Sequence, residues 1–563
     1  MATTFHLVCS PLKNTLSSDP RSSYEFPKSL HCELADRNPD DQSIAYVKAH
    51  LQHHPDRDVV LGVAAEPDDC KLVYHDASVP HQTPRLAWIY EPLHAFVRGL
   101  HQDPFVDPAI TLPEPSSFVN YRNQTPICTI RVEGEVFVSE SSKPELGAGR
   151  HRSITSAEWI LTLAVWFIKD IWRDINRQSF ENYTYKKAHG DKCLPGLMTL
   201  MTVDYHGYVL DADGQKIKTT VLASQGAKTA TAWEKMCIAT QGVGKSLYDA
   251  RTLREFLCVM YDACVVQRSL YRKCSILHRD ISDGNIMIAP NNEQFYERHV
   301  QGYDKIKYIN QVLADDPKTE PRPACLVVDP GNGMDLEMAH NSLDVQVERT
   351  GTPKFIAYSA CLGDVDPDRF TRIERARMPS LEGQALRLHQ QYSPPEYTQC
   401  PEILSGPFPD EPPPVSFARR LFHDAESVFW IIAWFLVNSA GPSAEEYSAK
   451  NKPLELFRFI SAMNSHTMNQ ARVDSRPFVV FSTERDWRKV LHPDLCCVAG
   501  MLADMRTYVV LPEWGYVPEL DPEHVHEALM RLLLKEIVRI DEEKADVQLA
   551  TVGRPLAREL ELE

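Results

Sequence analysis

Between positions 276 and 288 the chain reads Ile-Leu-His-Arg-Asp-Ile-Ser-Asp-Gly-Asn-Ile-Met-Ile, and its polar residues have the types and spacing that phosphoryl transfer needs. Asp280 can accept the proton of an attacking hydroxyl. Asn285, across a tight Asp283-Gly284 turn, can offer an amide oxygen to a magnesium ion riding on phosphate oxygens. Apolar residues on either side, Ile276-Leu277 and Ile286-Met287-Ile288, predict two short strands that grip the loop. A chance His-Arg-Asp triplet would bring neither the asparagine at that offset nor the strands.

Such chemistry also needs a second metal ligand and a cation on the phosphates. The run from Cys325 through Leu326, Val327 and Val328 predicts a strand ending at Asp329, the candidate second magnesium ligand. An Asp-Pro-Gly turn is the bland reading, and its place after the catalytic loop favours the functional one. Lys169 closes an apolar run and Glu181 follows on a predicted helix, so Lys169 is the candidate phosphate-binding cation and Glu181 its partner. Lys218 competes, but leaves too little chain before Asp280 for the helix, strands and long helix that must intervene. Gly147 and Gly149 are the candidate phosphate cover, although Arg150-His151-Arg152 stands where a further glycine would let the backbone approach. Gly244-Lys245-Ser246 is no Walker loop, because Ala239 occupies the place of its first glycine.

The elements that must position these groups change character along the chain. From Thr125, Ile127, Thr129, Arg131, Val136 and Val138 alternate as in strands. The apolar run 159–169 reads as one buried strand, 177–188 as a helix, 209–222 as a hairpin and 235–240 as a short strand. Helical spacing then takes over at Leu253, Phe256, Leu257, Met260, Tyr261 and Cys264, delivering the chain to the His-Arg-Asp segment. The apolar run 428–437 predicts a buried core helix, and 524–538 a final amphipathic one. The order predicts an α+β chain: an antiparallel-sheet lobe with one main helix at 125–244, then a mainly helical lobe at 245–540 with the catalytic loop at its entrance. Polar and proline-rich stretches mark insertions near 291–323 and 364–420. Residues 1–124 form an N-terminal extension with possible amphipathic helices near 44–51 and 93–100 and no assignable role. Residues 541–563 read as a loose acidic tail.

Bulk properties exclude several classes. A chain of 563 residues with 43% hydrophobic and 24% charged content is globular and too long for one ordinary core. The net charge of −17, with no Lys/Arg run, speaks against nucleic acid or an anionic membrane as partner. Fourteen scattered cysteines without a Cys-x-x-Cys pair suggest neither a zinc site nor a disulfide framework, so a reducing compartment fits. No secretory leader or membrane-length apolar run is visible, and the expected location is intracellular, cytoplasmic or nuclear.

Taken together, these motifs resemble the eukaryotic protein kinases, and within them the fungal-type protein kinases, over roughly residues 125–540. The resemblance rests on His278-Arg279-Asp280-Ile281-Ser282 with Gly284-Asn285-Ile286, on Lys169-x-x-Trp172, on Val243 to Leu247 as hinge, on Arg349-Thr350-Gly351-Thr352 and on His423-Asp424-Ala425-Glu426-Ser427. It implies a bilobal fold, ATP and Mg2+ as cofactors, a protein substrate and transfer to serine or threonine. Residue by residue it implies Lys169 on the phosphates paired by Glu181, Asp280 as base, Asn285 and Asp329 on magnesium, and Thr352 in the substrate loop. His278, Arg279 and a buried Asp424 would support the catalytic loop. The chain departs from the pattern at Pro330, where an aromatic residue is usual, and at Ser359, where the family has a glutamate that pairs a buried arginine. These departures favour a pseudokinase scaffold as the alternative; a small-molecule phosphotransferase is a second one.

Overall fold

The computed structural model describes residues 6–7, 60–65, 68–75, 80–88, 91, 94–95, 98, 110–111, 129–132, 135–143, 151–159, 165–175, 181–190, 194, 196–197, 199–200, 206–210, 213–219, 233–241, 244–290, 306–314, 316, 318–339, 350–392, 410–442, 454–467, 476, 483–550 and 553–554. The chain is α+β and divides into two compact units, one of residues 1–178 and 200–241, the other of 179–199 and 242–563.

In the first unit, β1 (His6–Leu7), β2 (Val60–Ala65), β3 (Asp69–His75) and β4 (Pro80–Gln82) follow one another across a small antiparallel sheet, and β5 (Leu86–Ala87) also pairs with β3. Sequence reading gave this region helices and no sheet. The stretch 44–51 lies outside the described residues, and of 93–100 only His94, Ala95 and Arg98 are described, as helical.

A second antiparallel sheet follows: β6 (Ile110–Thr111), β7 (Thr129–Val132), β8 (Glu135–Lys143), β9 (His151–Trp159) and β10 (Val165–Asp174) lie in sequence order. β11 (His206–Tyr208) and β10 both pair with β12 (Trp233–Gln241). The run expected as one strand over 159–169 is two: Trp159 ends β9 and Lys169 sits within β10, because apolar character alone does not say where a chain reverses. The hairpin turns at Gly214, whose φ of +75° suits glycine, and Ile217 N–H returns to the Val209 carbonyl at 3.0 Å.

In the second unit the long helix forms where the apolar period predicts it. With α1 taken as Glu181–His189, this is α2, Leu253–Cys274, capped by Thr252 Oγ1 on Glu255 N at 3.1 Å and ended by Ser275 in the left-handed region. The buried α4 (Leu421–Asn438) carries the predicted apolar run, and α7 (His524–Glu543) closes the order; between them come α5 (Leu454–Ser465) and α6 (Ala499–Met505), with α3 (Gly383–Tyr392) before α4. Trp430, Phe429 and Leu436 of α4 are fully buried. Truncating Trp430 to alanine would remove about 3–5 kcal/mol of stability by the usual cost of large cavities.

A stretch read as an insertion and one read as a loose tail are packed in where they are described. Within 364–420, α3 forms and Phe370, Ile373 and Ala376 are buried, so this segment contributes to the core. Where it is described after Asp541, the chain is docked rather than loose: Leu253 N–H meets the Val547 carbonyl at 2.9 Å, Leu549 N–H meets that of Arg251 at 2.8 Å, and Arg554 N–H meets that of Asn438 at 2.8 Å. Backbone pairing of this kind leaves no side-chain pattern to read.

Buried charge ties α2 to α7. Arg268 donates to Glu523 at 2.6 Å and to Glu527 at 3.0 Å, and Glu527 also holds His389 of α3 at 2.8 Å and Arg531 at 2.8 Å. Asp262, on the same helix, takes the N–H groups of Ile309 and Ala324 at 2.7 Å each. Burial pushes its carboxyl up to about 7, against those two hydrogen bonds.

Candidate active site

The metal-ligand candidates are brought together by strand register. The strands Ile286–Ile288 and Cys325–Val327 pair antiparallel with Ile286 opposite Val327, and Val328 N–H closes on the Asn285 carbonyl at 3.0 Å. Asn285 therefore ends one strand beside the residue that precedes Asp329 on the other. The Asn285 amide donates to the Asp280 carbonyl at 2.8 Å, and its Oδ1 makes no hydrogen bond among the described residues. Asp329 holds a left-handed backbone, φ +58°. Among the described residues no three His, Cys, Asp or Glu side chains gather to hold a metal. An amide oxygen and one carboxylate still fit magnesium, which takes one or two protein oxygens and completes its shell from phosphate and water.

Asp280 sits in a ring of donors. Thr352 gives both its N–H and its hydroxyl to Asp280 Oδ1 at 2.8 Å each, and Asn332 Nδ2 reaches Oδ2 at 2.9 Å. These bonds fix the carboxylate's orientation from two directions. Behind it, Asp424 at the start of α4 accepts the N–H groups of His278 and Arg279 at 3.0 and 3.1 Å. Burial raises the Asp424 carboxyl from the ordinary range, opposed by the Arg419 and His278 charges and by those two N–H groups. Arg419 donates to the carbonyls of Arg279 and Thr350, and His278 Nε2 bonds the Val328 carbonyl at 3.0 Å. Arg279 takes φ +67°, and Gly351 at φ +135° passes so close that an added Cβ would lie 3.0 Å from the Arg279 carbonyl. The sequence needs glycine there.

Tyr185 was not singled out by sequence. A tyrosine four residues after Glu181 on α1 reads as core, yet its hydroxyl accepts the Asp329 N–H at 3.1 Å and donates to Glu181. Burial, with the Glu181 and Asp329 carboxylates added, pushes this phenol well above its ordinary range, so it stays protonated. A side chain at Gly331 would meet Asp329 Oδ1 at 3.1 Å and Glu181 Oε2 at 3.5 Å, so both acids flank one glycine. Removing the hydroxyl in Tyr185→Phe orphans a buried N–H, and the expected loss is about 1–3 kcal/mol in urea unfolding. An unchanged unfolding midpoint would show that the bond carries no net energy.

A carboxylate also fills the gap left by Ser359. Glu426 accepts the Tyr358 N–H at 2.9 Å and Trp430 Nε1 at 3.2 Å and lies 3.9 Å from Arg369, while Ser359 Oγ meets His423 Nε2 at 3.2 Å. Burial raises the Glu426 carboxyl, with Arg369 opposing it. Nothing in the pattern around Ser359 announces a partner arriving from another helix.

Lys169 belongs to the first unit, where it is buried on β10 opposite Ile154 of β9 and Ile238 of β12. Lys218 is half-exposed and pairs with Glu234 at 3.2 Å. Lys245 exchanges both backbone hydrogen bonds with Ile288 at 2.9 Å, a strand-like pairing unlike a phosphate loop. Gly147 and Gly149 lie outside the described residues. No described helix is long and apolar enough to cross a membrane.

No curated protein matches the chain. The family model described as fungal protein kinase matches residues 168–436, a span that holds Lys169, Glu181, the catalytic-loop segment, Asp329, Thr352 and Asp424. Over that span, a little under half of its length, the chain is similar to the fungal-type protein kinases.

Proposed function

We propose that the chain transfers the terminal phosphoryl group of ATP, with magnesium, to serine or threonine hydroxyls of a protein substrate, on a bilobal kinase fold. The observation that carries this reading is the grip of Thr352 on Asp280: the residue of the substrate loop donates twice to one oxygen of the candidate base. An acceptor hydroxyl arriving at that carboxylate would lose its proton to it as the phosphoryl group moves. Asn285 Oδ1 and the Asp329 carboxylate would hold magnesium, which would neutralise phosphate charge. Lys169 is the proposed phosphate cation, with Glu181 as its proposed partner, and its burial on an inner strand supports it over the ion-paired Lys218. His278, Arg279 and Asp424 would support the loop.

The test is incubation of the purified chain with γ-labelled ATP, magnesium and a generic protein substrate. Label on phosphoserine or phosphothreonine is the expected result. Nucleotide that raises Tm without any transfer would make the chain a pseudokinase, and label on a small alcohol alone would make it a small-molecule phosphotransferase; either outcome overturns the reading.

A further inference from the structure

The second unit contains a cavity of ≈ 400 Å³ between the end of α2, the start of α4 and the segment before α7, outside the proposed phosphoryl-transfer site, though Arg419 in its lining also supports the catalytic loop. That volume falls in the range of small-molecule sites. Its wall is apolar at Leu336, Leu421, Phe422, Trp514 and Val517. Four polar side chains line it as well: Tyr271, Arg419, Arg420 and His524, of which Arg419 is buried and donates to the Arg279 and Thr350 carbonyls while Arg420 is exposed. The Tyr271 hydroxyl and the Arg420 guanidinium make no hydrogen bond or ion pair among the described residues. His524 has one ring nitrogen bonded to the Tyr508 hydroxyl at 2.9 Å, and burial holds its pKa down at about 3, so the ring is neutral. The nearby Glu523 carboxylate is already taken by Arg268 and Arg272 and does not compensate Arg420.

An apolar wall with the exposed Arg420 guanidinium at its edge, Arg419 committed to backbone carbonyls and two neutral hydrogen-bonding groups suits an apolar body bearing a single negative charge. We propose that this cavity binds a small aromatic carboxylate, its ring against Trp514, Phe422 and Leu421 and its carboxylate on Arg420. A guanidinium and a carboxylate make a two-pronged, charge-assisted contact. The wall is continuous with the catalytic loop's supports. Leu421 packs on Leu277 and Met334 together with Tyr271 and Leu336, and the neighbouring Arg419 is the donor to the Arg279 and Thr350 carbonyls. Occupancy therefore stiffens the backbone around His278 and Arg279, a consequence of packing that holds whether or not the chain transfers phosphate.

The probe is indole-3-acetate, with indole-3-acetamide as its uncharged control, followed by calorimetry on the full chain. The expected result is saturable binding of the acetate, weakened by about tenfold or more in the amide and in Arg420→Gln, as loss of a charged hydrogen bond requires. Ala418→Trp, which fills the cavity, abolishes it. Hydrogen exchange of the His278 and Arg279 amides slows on saturation. Absence of saturable binding to the wild-type chain, equal binding of the amide, or binding untouched by both substitutions overturns the proposal, as does unchanged exchange for the coupling. None of these readings depends on phosphoryl transfer.

Discussion

Asp280→Asn is expected to lower phosphoryl transfer by about 10²–10⁴-fold, the usual worth of a positioned base, while leaving the fold nearly as stable. Asparagine keeps the shape of the side chain, and its Oδ1 can still accept the Thr352 N–H and hydroxyl, each now at 2.8 Å. The contact that suffers is on the other side, where Asn332 Nδ2 donates to Oδ2 at 2.9 Å and would face an NH₂ group. A single mismatched hydrogen bond in a half-buried place is worth about 1 kcal/mol, too little to unfold the unit. The loss should fall on kcat rather than KM, because the carboxylate's basicity matters only once the hydroxyl is attacking. Steady-state kinetics beside urea unfolding separates the two contributions. A variant that keeps its rate within tenfold would remove Asp280 from the chemistry, and one that unfolds would mean that the ring of donors exists for stability.

What the sequence made legible follows the physics of short-range pattern. The strands at 276–277, 286–288 and 325–327 are short apolar runs with polar residues at their ends, so both their existence and the proximity of Asn285 to Asp329 could be expected before any coordinates. The long helix at 253–274 announced itself by period. Residues whose importance depends on a distant partner did not. Tyr185 looks like any core tyrosine until the Asp329 N–H arrives from a segment 144 positions away. Glu426 was visible as part of a motif, but its meeting with Arg369 and the Tyr358 N–H could not be read from spacing. The tail after Asp541 carries acidic residues that suggest solvent, whereas its described backbone at Val547 and Leu549 is held beside the start of α2 by bonds that are blind to side-chain type. The N-terminal sheet escaped for a related reason: its strands are short, and β2 and β3 lack strict alternation.

Glu527→Gln should destabilise the protein by about 3 kcal/mol at neutral pH, and the deficit should shrink in acid. Burial by itself would raise this carboxyl, but the hydrogen bond from His389 and the charges of Arg268 and Arg531 reverse that and hold it at about 2, against an ordinary 4.5. A depression of this size, at 1.36 kcal/mol per unit, corresponds to roughly 3 kcal/mol of coupling between the carboxylate and its surroundings. The folded chain releases this proton more readily than the unfolded chain, so the contribution is complete above pH 4.5 and is lost as pH falls from there toward 2. In the glutamine variant Arg268 keeps its 2.6 Å bond to Glu523 but loses its second anion in a place that is almost fully buried. Removing one partner of a buried charge set is costly because the remaining charge has no water to turn to. Urea unfolding of both proteins across pH 7 to about 3.5 tests this: the gap should narrow steadily below pH 4.5. A gap that is constant with pH, or smaller than about 1 kcal/mol throughout, would mean that the network linking α2, α3 and α7 orders these helices without stabilising them.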